Sequence, residues 1–121
     1  MLTLPPSVRL YVWTRPVDLH RSFDGLSALV SGVIGNDPLS GHLFFFFNRR
    51  MDTVKALYWD RTGYCIWSKR LQKGRFQLGV REVGPNGIVE MDAADLSLIL
   101  EGIDLRGAKR KSRWRTGTAV A

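Results

Sequence analysis

The sequence predicts an α+β fold: an antiparallel meander sheet of about five to six strands, two covering helices and a basic C-terminal tail. Three observations predict it. Short segments of strand-forming residues follow one another across hairpin-length turns. Two segments carry apolar residues at helical spacing. Positive charge gathers where that patterning stops.

The elements follow in order. "SVRLYVW" alternates Val8, Leu10 and Val12 with Arg9, Tyr11 and Trp13, the period of a strand, and Pro16 ends it. In "VDLHRSFDGLSALVSGVIG", Phe23, Leu26, Leu29, Val30, Val33 and Ile34 recur at three and four residues, one face of a helix. Asp18 or Ser22 can cap its start, and Gly35 with "NDP" stops it. "HLFFFFN" is apolar on both faces and reads as an interior strand covered on each side. "TVKALYWD" and "YCIWSKRL" form the next hairpin around "DRTG". A turn at "QKG" leads to a further strand at "RFQLGV", and "VGPNG" precedes the strand "IVEM". "DAADLSLILEG" is a second helix, with Asp92 as cap, Asp95 in the first turn, Leu96, Ile99, Leu100 and Ile103 on one face, and Gly102 closing it. Residues 1–105 are thus one α+β domain, and 106–121 a flexible basic tail.

Length and composition fit this. The 121 residues suit a single domain with a modest core, 45% hydrophobic and 24% charged. The longest apolar runs are five residues, as in Leu43 to Phe47, far short of a membrane span. No secretion signal is evident, and the single cysteine, Cys65, fits a reducing compartment, so a cytoplasmic, nucleoid-associated protein is expected.

Charge points to the partner. The net charge is +7, and the residues from Asp104 to Ala121 supply +5 of it through Arg106, Lys109, Arg110, Lys111, Arg113 and Arg115 against Asp104. Cations that neutralise phosphates release counterions, and Trp114 among them can stack on a base. In the folded part, Arg49, Arg50, Arg61, Lys69, Arg70, Lys73 and Arg75 cluster around the hairpin loops of one meander. These fourteen residues are the expected nucleic-acid-binding set. A solvated, partnerless face is the plain alternative for any such charge run.

No catalytic set competes strongly. His20 and Asp24 lie four apart on the first helix and are able to meet; Asp37, Asp52 and Asp60 lie at separate loops. A metal-dependent nuclease needs carboxylates converging on one ion, whereas these acids sit at different loops with no spacing signature, and Asp18, Asp24, Asp37 and Asp92 read more simply as caps and turn formers. No nucleophile elbow, zinc-protease helix, phosphate loop or paired-cysteine pattern occurs, and Cys65 reads as a packed thiol. No enzyme activity, metal or cofactor is expected.

The blocks "VDLHRSFDGLSALV", "DPLSGHLFFFFNRRMDTVKALYWDRTGYCIWSKRLQKGRF" and "LSLILEGIDLRG" together resemble the TnpB-type accessory proteins of IS-sixty-six type bacterial insertion sequences, from about Leu2 to Gly107. The family commonly has Met-Arg-Lys where this chain has Leu19, His20 and Arg21, and often a proline near Gly79. The resemblance implies a non-catalytic helper in transposition beside the neighbouring transposase and the second small element-encoded protein, while the basic residues point to DNA as a further partner. A protein–protein adaptor that docks on the transposase without touching DNA is the alternative, and a metal-dependent nuclease the more distant one. An uncovered edge strand is able to pair two copies, though nothing in the sequence demands it.

Overall fold

The computed structural model describes residues 7–34, 37–79 and 86–102. Within them the elements are β1 (Leu10–Trp13), α1 (Phe23–Ile34), β2 (Leu43–Phe47), β3 (Thr53–Asp60), β4 (Gly63–Arg70), β5 (Ile88–Met91) and α2 (Ala93–Leu100). The strands form one sheet in the order β4-β3-β2-β1-β5.

The fold is α+β, and the sheet is mixed rather than wholly antiparallel. β1 runs parallel to β2, with Leu10 beside Leu43 and Val12 beside Phe45, while the other three pairings are antiparallel. The reason lies in the connection. A hairpin turn reverses the chain, but α1 carries it back across one face, so the following strand lies parallel to the first. β1 is thereby inserted between β2 and β5, and only β2-β3-β4 is a true meander. A second correction concerns "RFQLGV": residues 75–79 form no strand. Gly74 and Gly79 both take positive φ, +80° and +67°, which breaks extended pairing, and Phe76 turns into the core instead.

The four phenylalanines are resolved by alternation. All five residues of β2 are buried. Phe44 and Phe46 face a layer with Trp13, Leu19, Leu26, Val30 and Leu57, beneath α1. Phe45 and Phe47 face the other layer, with Val12, Val54, Phe76, Leu96, Ile99 and Leu100, beneath α2. A central strand between two helical layers needs apolar residues at every position, which is the interior strand the sequence predicts. Ring contacts fix the packing: Trp13 on Phe46 at 4.6 Å, Tyr11 stacked on Phe44 at 5.6 Å, and Phe47 edge-on to Phe76 at 5.3 Å.

The helix ends follow local chemistry. Asp92 accepts from the Asp95 N–H at 2.8 Å, and the Gly102 N–H donates to the Ile99 carbonyl at 2.9 Å with Gly102 at φ +89°. In α1, Leu26 and Val30 are buried, but Phe23, at the first position of the helix, is 45% exposed. His20 precedes the helix, so it pairs with Asp18 rather than Asp24. Cys65 is half-buried beside Tyr58; burial, then the Cys65 neighbour, pushes the Tyr58 hydroxyl up. The expected tail, with Ile103, lies outside the described residues.

Candidate nucleic-acid interface

The chain leaves β2 at Phe47 through a turn that one side chain organises. Asn48 Oδ1 accepts from the backbone N–H groups of Asp52 at 3.0 Å and Thr53 at 3.2 Å. Its Nδ2 donates to Asp52 Oδ1 at 2.8 Å, and the Thr53 hydroxyl donates to the same oxygen at 3.0 Å. These bonds, Asn48 first, hold the Asp52 carboxyl below the usual carboxylate range, with nearby Arg50 adding to them. Met51 takes φ +59° at the bend, and its N–H donates to the Asn48 carbonyl at 3.0 Å. Arg49 and Arg50 are the exposed residues of this turn.

Two further segments are tied to it. The Leu71 N–H donates to the Asp52 carbonyl at 2.8 Å and the Phe76 N–H to the Met51 carbonyl at 2.6 Å, lashing the loop with Lys73 and Arg75 to the turn. On the other side the Val17 N–H donates to the Phe47 carbonyl at 2.9 Å. Lys55 Nζ donates to the Leu19 carbonyl at 2.7 Å. Between residues 16–20 and the turn lies an open groove of about 640 Å³, lined by Asp18, His20, Arg49, Arg50, Thr53 and Lys55 among others. The His20 backbone N–H and then its ring hold the Asp18 carboxyl below its ordinary range.

The strands sort the charges by end. β2 stops and β3 starts at this turn, β4 returns to it at Arg70, which pairs with Thr53, and β1 arrives beside it at Trp13. Nine described cations therefore gather at this end: Arg15, Arg21, Arg49, Arg50, Lys55, Lys69, Arg70, Lys73 and Arg75, against Asp18, Asp24, Asp52 and Glu101. The opposite end holds Arg9 and Arg61 with Asp37, Asp60, Glu90, Asp92 and Asp95. Arg9 is there paired with Glu90 at 3.2 Å.

The expected set is thus divided. Arg49, Arg50, Lys69, Arg70, Lys73 and Arg75 share one end; Arg61, in the β3–β4 turn, stands at the other, ~26 Å away along an eight-residue strand. Lys69 has a structural task, its Nζ donating to the Leu100 carbonyl at 2.8 Å at the C-terminus of α2. Arg106, Lys109, Arg110, Lys111, Arg113, Trp114 and Arg115 lie outside the described residues. Lys55 and Arg15 were not singled out by the sequence reading. Lys55 carried a signal: two residues from Leu57, it shares the face of that buried residue, so strand periodicity sets a cation on a covered face near the strand's end.

Among the described residues, carboxylates do not converge. Asp52 is engaged within its own turn, and Asp60 lies at the far end of the same strand. Among the described residues, no three of His, Cys, Asp and Glu are grouped to hold a metal ion. Among them, no helix is long and apolar enough to cross a membrane.

The chain is 35% identical over 104 residues to uncharacterized protein y4jC of Sinorhizobium fredii, covering 86% of each. It is 35% identical over 106 residues to uncharacterized protein y4hO of the same organism, covering 88% of this chain and 90% of that one. No solved structure matches it. The family model for IS66 Orf2-like proteins matches residues 8–110, and the chain belongs to that family, which points to an accessory role in transposition.

Proposed function

We propose that the chain is a non-catalytic accessory factor of DNA transposition that grips DNA phosphates through the basic end of its sheet and works beside the element's transposase and second small protein. The partition of charge between the two sheet ends carries this reading. Exposed cations held on interlocked turns raise the local positive potential and neutralise phosphates with release of counterions. From Arg70 on β4 to Arg15 after β1 the row crosses three strand spacings, ~14 Å, enough to meet several phosphates of a duplex. The N-terminus of α1, which begins beside the groove, adds its partial positive charge. Such contacts set register and orientation without reading sequence, so selection of element ends falls to other groups or to the transposase.

The test is fluorescence anisotropy with a labelled duplex carrying an element end. Combined Arg49→Ala, Arg50→Ala and Arg70→Ala should weaken binding at least about tenfold at low salt, while combined Arg9→Ala and Arg61→Ala changes it less than about twofold. Equal losses from the two ends would refute the placement. Absent DNA binding, with transposase still captured in nuclease-treated buffer, would establish the adaptor instead.

A further inference from the structure

The sheet has two edges and they are built differently. β5 has four residues and carries Glu90, ion-paired to Arg9. β4 has eight, Gly63–Arg70, with no proline, and from Tyr64 to Ser68 no charge. Isolated edges are normally blunted by brevity, proline, bulges or inward charge, because their free N–H and C=O groups recruit another strand. Along Tyr64–Trp67 β4 has none of these devices, and among the described residues only β3 pairs with it.

The outward groups can be named. The β3–β4 turn has two residues, with Asp60 pairing to Gly63. In such a hairpin the closing pair is hydrogen-bonded and bonded pairs then alternate, so Gly63, Cys65, Trp67 and Lys69 bond β3. Tyr64, Ile66, Ser68 and Arg70 therefore point their backbone N–H and C=O groups away from the sheet. Half-buried apolar side chains flank that row on both faces: Tyr64 and Ile66 toward the α1 layer, Trp67 toward the α2 layer.

We propose that β4 is a self-pairing surface, joined antiparallel to β4 of a second copy about a two-fold axis at Ile66, giving one continuous ten-stranded sheet. The distribution of charge selects this partner and this direction. The cations Lys69 and Arg70 stand at one end of the strand only. Antiparallel pairing centred on Ile66 sets Lys69 opposite Gly63, Ser68 opposite Tyr64, and Cys65 opposite Trp67, so no cation faces a cation. Parallel in-register pairing would stack Lys69 on Lys69 and Arg70 on Arg70. The axis lies perpendicular to the sheet, so each helical layer continues into its counterpart and the two basic ends point in opposite directions. Self-pairing does not depend on DNA binding.

Sedimentation equilibrium of the full chain at about 100 μM should give twice the 13.7 kDa monomer mass. Ser68→Pro removes an outward N–H and leaves the β3 bonds intact; it should give the monomer mass with an unchanged circular dichroism spectrum. Should that variant unfold, the cysteine pair decides. In a Cys65→Ser background, Ile66→Cys faces itself across the axis and should form a covalent dimer with copper phenanthroline as oxidant, whereas Ser68→Cys should not. A wild-type monomer, a folded but dimeric Ser68→Pro, or cross-linking at position 68 in preference to 66 would overturn the proposal.

Discussion

Asn48→Ala tests whether the basic turn is a preformed platform. The side chain accepts from two backbone donors, Asp52 N–H and Thr53 N–H, in a part-buried position. Each such bond contributes about 1 kcal/mol net, so the substitution should cost about 2 kcal/mol. For a chain of this length that lowers Tm by about 8 °C, read by circular dichroism at pH 7. The same side chain is the first cause of the lowered Asp52 carboxyl, which fixes the sign of the pH dependence. A carboxyl whose folded value lies below its unfolded one stabilises the fold above the unfolded value and loses that contribution as pH falls through the folded one. The gap between wild type and Asn48→Ala should therefore be widest near neutrality and narrow below about pH 4. A Tm within about 2 °C of wild type, or a gap that widens in acid, would refute this account of the turn.

Arg61 adopts φ +51° in the β3–β4 turn, a conformation that costs an L-residue about 1 kcal/mol. Arg61→Gly should accordingly raise the urea midpoint or leave it unchanged, and leave DNA affinity within about twofold, because the residue stands at the other end of the sheet; a clear loss of either would contradict its placement. Lys69→Met removes the donor to the Leu100 carbonyl and should destabilise by ~0.5–1 kcal/mol in denaturant melts. Faster amide exchange in α2 should accompany it, with a smaller effect on DNA affinity than Arg50→Ala.

Much of this molecule was legible in its sequence where local chemistry decides. The Asp92 cap, the Gly102 stop and the interior position of "LFFFF" all follow from residue type and spacing, and the structure has them there. Direction of pairing was not legible, because periodicity describes one strand and says nothing of its neighbour. β1 lies parallel to β2 only because α1 crosses between them. "RFQLGV" has the residues of a strand, but Gly74 and Gly79 take positive φ and Phe76 turns inward to pack edge-on against Phe47. The site divided for a related reason. Sequence proximity grouped Arg61 with Arg49 and Arg50, yet an eight-residue strand carries it to the far end, while Lys55 comes to the groove and Arg15, beside Gly87, to the same end of the sheet. Lys69 illustrates a further limit: its charge was legible, and its engagement with the end of α2 required the packing of helix on sheet.

The central claim, that cations at one end of the sheet neutralise phosphates, is tested most directly by the salt dependence of DNA affinity. Each phosphate contact contributes about 0.9 to the slope of log K against log salt concentration. Replacing Arg49 and Arg50 together with alanine should lower that slope by up to ~1.8 relative to wild type. A wild-type chain whose DNA affinity does not respond to salt, or a double variant with an unchanged slope, would contradict it.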